Sequence, residues 1–214
     1  MKVIDFVTVH LSRPQARILE IGCGDGELAM ALARVGHSVT AIDPQAPVGP
    51  IFQQIPLERF DETTTFDAIV ANRSLHHVHE LGPALEKIEA LLEPDGVLIL
   101  SEFAWDRMDD PTALWYFSHR DEATSPVSSL SPETFPEAWI AEHADLHTSP
   151  VMKEQLEAHF ATRLFEWVPY IARYYLERTD LESREAESIA SGGINALGFR
   201  YVGTRQAVPT ETRR

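Results

Sequence analysis

The sequence predicts an α/β fold, a doubly wound and mostly parallel sheet with helices on both faces. Three observations carry this. Short apolar runs alternate with segments whose apolar residues recur at helical spacing. Gly22, Gly24 and Gly26 stand at alternate positions between the first apolar run and the first helical segment. The second apolar run closes on an acid, Asp43.

The elements follow in order. Residues 3–11 suit a short helix ahead of Pro14, and "RILEI" (17–21) is a run of strand length. In "GELAMALARVG" (26–36), Leu28, Leu32 and Ala33 share a helical face and Gly36 stops the helix. "SVTAI" (38–42), "IFQQI" (51–55) and "FDAIVA" (66–71) are further strands. Residues 79–92 give the clearest helix, with Leu81, Ala84, Leu85, Ile88, Leu91 and Leu92 in one stripe and Pro83 in the first turn, where proline is tolerated. Pro94, Asp95 and Gly96 turn the chain into a fifth strand, "VLILSE" (97–102). Residues 103–157 change character: prolines fall at 111, 126, 132, 136 and 150, and Trp105, Trp115, Tyr116, Phe117, Phe135 and Trp139 gather there. This segment is expected to form short helices and loops, a helical insertion within a single domain over 1–214. Residues 159–168 return to strand composition. "PYIARYYLER" and "LESREAESIASGGINALG" look helical, the second weakened by Gly192 and Gly193. Residues 199–207 alternate as a last strand, and the tail from Pro209 is expected to fray.

Bulk properties narrow the function. The formal net charge of −15 repels duplex DNA and anionic membranes, so neither nucleic acid nor membrane is an expected partner. Cys23 is the single cysteine, which rules out an intramolecular disulfide and fits a reducing compartment. The first fifteen residues lack the apolar core of a signal peptide, and no stretch approaches the roughly 20 apolar residues of a membrane span. A cytoplasmic location is expected. The early helix and the 103–157 segment offer surfaces for a homodimer.

The glycines and the acid describe a ligand site. Open parallel sheets bind ligands at the carboxyl ends of their strands, where strand order reverses. A Cβ at position 22 or 24 is expected to stand in the ligand's way, and glycine also permits positive φ. A carboxylate at Asp43 can accept both hydroxyls of a ribose diol. Dinucleotide sites space their glycines G-x-G-x-x-G, and the place of the third glycine is here Glu27, whose charge would repel a phosphate. A phosphate-free adenosyl ligand bearing an amino group suits this loop better.

At these residues the chain resembles the class I S-adenosylmethionine-dependent methyltransferases. "LEIGCGDG" is similar to their first motif and "AID" to their second-strand acid. "FDAIVANRSLHHV", "HELGPALEKIEALLEPDGVLILSE" and "INALGFRYVGTR" resemble the later parts of the fold. The resemblance covers residues 15–103 and 159–206. It implies a Rossmann-like sheet of seven strands with the last inserted antiparallel, S-adenosyl-L-methionine as cofactor, and a small-molecule acceptor. It puts Gly22 and Gly24 against the methionine part, Glu20 near its amino group, Asp43 on the ribose, Asn72 beside the methionine and Leu57 near the adenine. Cys23, Pro44 and Arg73 line the same pocket. Two departures stand out: "PQAPVGP" cannot form the helix that usually precedes strand three, and Pro56 falls where an adenine-binding acid is expected.

Other residues carry competing readings. His76, His77 and His79 look like metal ligands, but H-H-x-H lacks a partner signature and no metal is expected. Cys23 has no partner signature for a nucleophile. His76, Tyr116 and His119 are candidates for a proton-accepting or orienting group, although the reaction does not require one. The aromatic residues of 103–157 form either the core of a helical layer or a lid over the acceptor. The rival functions are a non-catalytic cofactor-binding protein and an NAD(P)-dependent oxidoreductase.

Overall fold

A computed structural model describes residues 1–61, 63–120 and 134–206. Pro126, Pro132 and the tail from Pro209 lie outside the described residues. The chain divides into two compact units. The first comprises residues 1–102, 152–165 and 200–214, and the second residues 103–151 and 166–199.

The first unit carries most of the sheet, the last two strands in the chain running on into the second. Its strands are β1 (Arg17–Ile21), β2 (Ser38–Ile42), β3 (Phe52–Gln53), β4 (Phe66–Asn72), β5 (Leu92–Phe103), β6 (Phe160–Val168) and β7 (Gly198–Arg205). The order is β3-β2-β1-β4-β5-β7-β6. β1 to β5 pair in parallel, while β5, β7 and β6 pair antiparallel, as the resemblance implied. Strand order reverses beside β1: β2 lies on one side and β4 on the other. α2 (Glu27–Arg34) connects β1 to β2 and α3 (Leu81–Leu91) connects β4 to β5, and the right-handed rule for such crossovers puts them on opposite faces. Ile18, Val39, Ala68, Val70, Val97 and Ile99 pack with Phe6 and Val7 of α1 (Val3–His10) and with Ala29 and Leu32 of α2. The alternate residues Leu19, Ile69, Leu98 and Leu100 are equally buried on the other face. This explains strands that are apolar throughout.

The differences from expectation are local. β3 is two residues long, and no helix forms between Asp43 and Ile51. β5 begins at Leu92, and the Pro94–Gly96 turn becomes an irregularity between the Phe66–Leu92 and Ala68–Val97 pairings.

The second unit holds α4 (Asp110–His119), α5 (Phe135–His143), α7 (Ile171–Tyr174) and α8 (Glu182–Ala190), while α6 (Ser149–His159) runs on into the first. Phe103, Trp105, Tyr116, Phe135, Trp139, Tyr170 and Ile171 form its core. Phe103 stacks on Tyr170 and Tyr116 on Phe135, so the aromatic residues of the sequence pack mainly on one another. The helical expectation for 169–178 shrinks to α7, because Glu177 adopts φ +53° and the chain folds back there.

Candidate active site

The site lies in the first unit, at the carboxyl ends of β1, β2 and β4. Gly22, Gly24 and Gly26 all have positive φ, of 70°, 52° and 80°. What a Cβ would meet differs among the three. A Cβ on Gly22 would lie 2.3 Å from Cβ of Ser74, so that glycine yields to the loop after β4. A Cβ on Gly26 would lie 2.5 Å from the ring of Phe52, so it yields to β3. At Gly24 nothing stands within 4 Å, so this position alone opens onto free space.

The acids frame that space. Asp43 is half-buried, and its Oδ2 accepts the Gly24 N–H at 3.1 Å while Oδ1 accepts the Gln45 N–H at 2.7 Å. Each oxygen keeps a second lone pair. Glu20 is 2% exposed, and its Oε2 has no hydrogen-bond partner among the described residues. Oδ1 of Asn72, at the end of β4, is likewise buried and unpartnered. An orphaned buried acceptor costs about 1–3 kcal/mol. Two of them beside a glycine loop are unmet demands for a donor such as an ammonium group. The residues therefore fit S-adenosylmethionine: Gly24 leaves room, Glu20 and Asn72 offer acceptors, and Asp43 has lone pairs for a diol.

A dinucleotide fits less well. The Asp25 side chain accepts the Glu27 N–H at the start of α2, which puts two carboxylates where a pyrophosphate would sit.

Burial, then Asp25, then Asp43 push the Glu20 carboxyl from the ordinary 4.5 up to about 8, against the pull of the Ala29 N–H. A carboxyl raised in the folded state adds stability that is complete below the unfolded value and lost as pH rises through the folded one. The ligand-free protein is therefore expected to lose stability between about pH 4.5 and 8. Melting temperatures across this range, for wild type against Glu20→Gln, check this. Parallel curves for the two proteins would refute the assignment.

The remaining residues fall as follows. Cys23 is buried, and burial before all other causes pushes its thiol up to about 12, which leaves it inert at neutral pH. Pro44 and Arg73 are exposed beside Asp43 and Asn72, and Arg73 adopts φ +56°. Leu57 is buried in a short 3-10 turn. Pairing of Ile42 with Gln53 ends β3 there, so Gln53 and Gln54 hold the strand-end position and Pro56, three residues on, only precedes that turn. The position thus carries amides in place of an acid.

His76 is buried, with Nδ1 2.6 Å from Oε2 of Glu102, and its ring lies 4.2 Å from that of His77. Among the described residues no three His, Cys, Asp or Glu side chains are placed to hold a metal ion. Tyr116 and His119 belong to α4 in the second unit. Tyr116 is buried in the aromatic core, while His119 stacks on Trp115, with Nδ1 2.8 Å from its carbonyl.

Sequence reasoning gave no role to Ser74 or Glu102, which meet after β4, where Glu102 Oε1 accepts the Ser74 N–H at 3.1 Å. The signal for Glu102 was faint, an acid closing an otherwise apolar run at 97–102, and Ser74 carried none.

Comparison with known proteins agrees with this fold. The methyltransferase domain family matches residues 2–174. An uncharacterized methyltransferase of Mycobacterium tuberculosis is 34% identical over 113 residues, 47% of this chain and 56% of that protein. The ubiquinone biosynthesis O-methyltransferase of Xanthomonas campestris is 31% identical over 113 residues, 46% of this chain and 47% of that protein. The chain thus spans about half the length of the curated relatives it matches. Among solved structures, the 1,6-didemethyltoxoflavin-N1-methyltransferase of Burkholderia thailandensis, with bound 1,6-didemethyltoxoflavin and S-adenosylhomocysteine, superposes with a TM-score of 0.58 at 22% identity, covering 95% of this chain and 76% of that one. An S-adenosylmethionine-dependent methyltransferase of Mesorhizobium loti reaches 0.60 at 16% identity, covering 94% of this chain and 96% of that one. No described helix is long and apolar enough to cross a membrane. With the family match running through the glycine turn and all of β1 to β5, the chain belongs to the methyltransferase domain family.

Proposed function

We propose that this protein transfers the methyl group of S-adenosyl-L-methionine to an oxygen, nitrogen or carbon nucleophile of a small molecule. One observation carries the reading. Around the glycine turn, Asp43 accepts the N–H of the open Gly24, and two buried acceptors near the carboxyl ends of β1 and β4, Glu20 Oε2 and Asn72 Oδ1, have no partner among the described residues. That is a cradle for a ligand that is cationic, bears a diol and lacks phosphate.

In this reading Asp43 holds the ribose hydroxyls, Glu20 and Asn72 meet the methionyl ammonium, and Gly22 and Gly24 keep backbone against the chain between them. Cys23, Pro44 and Arg73 complete the wall, and Leu57 lies toward the adenine with Gln53 and Gln54. When bound, the cofactor supplies a methyl group already activated by the sulfonium. The chain's own task is to align the nucleophile and exclude water. A base is required only for an acceptor that is protonated at working pH, and His76, Tyr116 and His119 remain its candidates. The names of the relatives, an O-methyltransferase and an N1-methyltransferase, support small ring-bearing acceptors.

Calorimetric titration tests it. S-adenosylmethionine and S-adenosylhomocysteine should bind, and NAD(P) should not. Asp43→Ala should weaken cofactor binding by roughly 1–3 kcal/mol, the value of hydrogen bonds to a charged group. An unchanged dissociation constant would show that the acid is misassigned. Binding without turnover across a panel of phenols, amines and heterocycles would favour the non-catalytic reading. The absent strand-three acid is what keeps that alternative in view.

A further inference from the structure

The carboxylate of Glu102 is fully buried near the end of β5 and is not among the residues assigned to the ligand. It meets three groups of the loop that follows β4. Oε1 accepts the N–H of Ser74 at 3.1 Å and of Leu75 at 2.9 Å, and Oε2 lies 2.6 Å from Nδ1 of His76. Ser74 in turn donates its hydroxyl to the carbonyl of Ile21 at 2.8 Å, directly beneath Gly22. The same loop begins with Asn72 and with Arg73 in its left-handed conformation. A single buried carboxylate thus connects β5 to the glycine turn after β1, through a loop whose backbone is strained.

We propose that Glu102 is a positioning residue for the cofactor site, holding the 73–77 loop, and through Ser74 the Gly22 turn, in the binding-competent arrangement. The proposal rests on the reading that the Gly24 cradle takes S-adenosylmethionine. It has a chemical consequence at His76. Oε1 is engaged by two N–H donors, and a carboxylate Oε2 beside Nδ1 is an acceptor. Nδ1 of the imidazole therefore carries a proton, which it donates to Oε2. In Glu102→Gln the amide oxygen can keep the two backbone N–H groups, and its NH₂ must then donate to Nδ1. Nδ1 then carries no proton, while the shape of the side chain is kept.

The test combines nitrogen NMR of the histidine side chains with calorimetric titration of S-adenosylmethionine, on wild type, Glu102→Gln and Ser74→Ala. Wild type should show His76 protonated at Nδ1. Glu102→Gln should show it protonated at Nε2 and should bind the cofactor about tenfold more weakly, and Ser74→Ala should weaken binding without moving the tautomer. An Nε2–H tautomer in wild type overturns the proposal even if Glu102→Gln does not fold. So does a folded Glu102→Gln protein with wild-type affinity. Wild-type protein that binds no S-adenosylmethionine but shows the Nδ1–H tautomer refutes the functional reading and, with it, the cofactor role given to Glu102. Wild-type binding with no change in the variant refutes only the positioning role.

Discussion

Glu185→Ala is expected to lower stability by about 4 kcal/mol, because it strips a buried carboxylate from three backbone donors at once. Glu185 is fully buried on α8. It accepts the N–H groups of Tyr170 at 2.7 Å, Ile171 at 2.9 Å and Ala172 at 2.8 Å. These donors open α7, a helix of four residues that has no length of its own to stabilise it. Tyr170 also stacks on Phe103 at 4.5 Å in the aromatic core. Alanine would leave the donors without a partner and a void beneath them. Glu185→Gln should cost less, since its single amide oxygen can still serve part of the set. Denaturant unfolding of the three proteins gives the comparison. A loss below about 1 kcal/mol for the alanine variant would show that water replaces the carboxylate and that the site is not sealed.

Gly22→Ala should be nearly as damaging, at about 3 kcal/mol or more, combining left-handed strain with overpacking. The new methyl group would lie 2.3 Å from Cβ and 2.8 Å from Oγ of Ser74. Ser74 cannot simply retreat, being tied to Ile21 through its hydroxyl and to Glu102 through its N–H. Gly24→Ala is the informative contrast. It pays only the backbone strain, roughly 1–2 kcal/mol, since nothing lies within 4 Å of the new atom. Its methyl group would instead enter the cradle, so the protein should fold yet lose cofactor affinity. Ser74→Gly should partly rescue Gly22→Ala and should do nothing for Gly24→Ala. Thermal melts with and without S-adenosylmethionine separate these effects. Equal behaviour of the two alanine variants would sink the distinction between a packing glycine and a ligand-facing one.

Much of the site was legible because its residues lie close along the chain. β1, the glycine turn, α2 and β2 occupy residues 17–42 without a break in pattern, and Asp43 follows at once. Apolar period and turn chemistry suffice there. The Ser74–Glu102 link was not legible. It spans 28 residues and exists because β4 and β5 pair in parallel with Asn72 opposite Ser101. The strand-end position was misread for a related reason. Without a helix between Asp43 and Ile51, the end of β3 depends on the pairing of Ala41 with Phe52, not on spacing along the chain. The role of Gly26 likewise depends on where the ring of Phe52 comes to rest.

Taken alone, the chain's order of residues determined the alternation of strands and helices, the bend that needs left-handed backbone after β1, and the acid after β2. These are local matters of periodicity, φ and hydrogen-bonding capacity. Only the tertiary structure decided which glycine opens onto free space, which acceptors stay unpartnered, and which carboxylate meets the loop after β4. Those outcomes depend on contacts between strands far apart in the chain, and burial turns a polar atom into either a satisfied support or an open demand for a ligand.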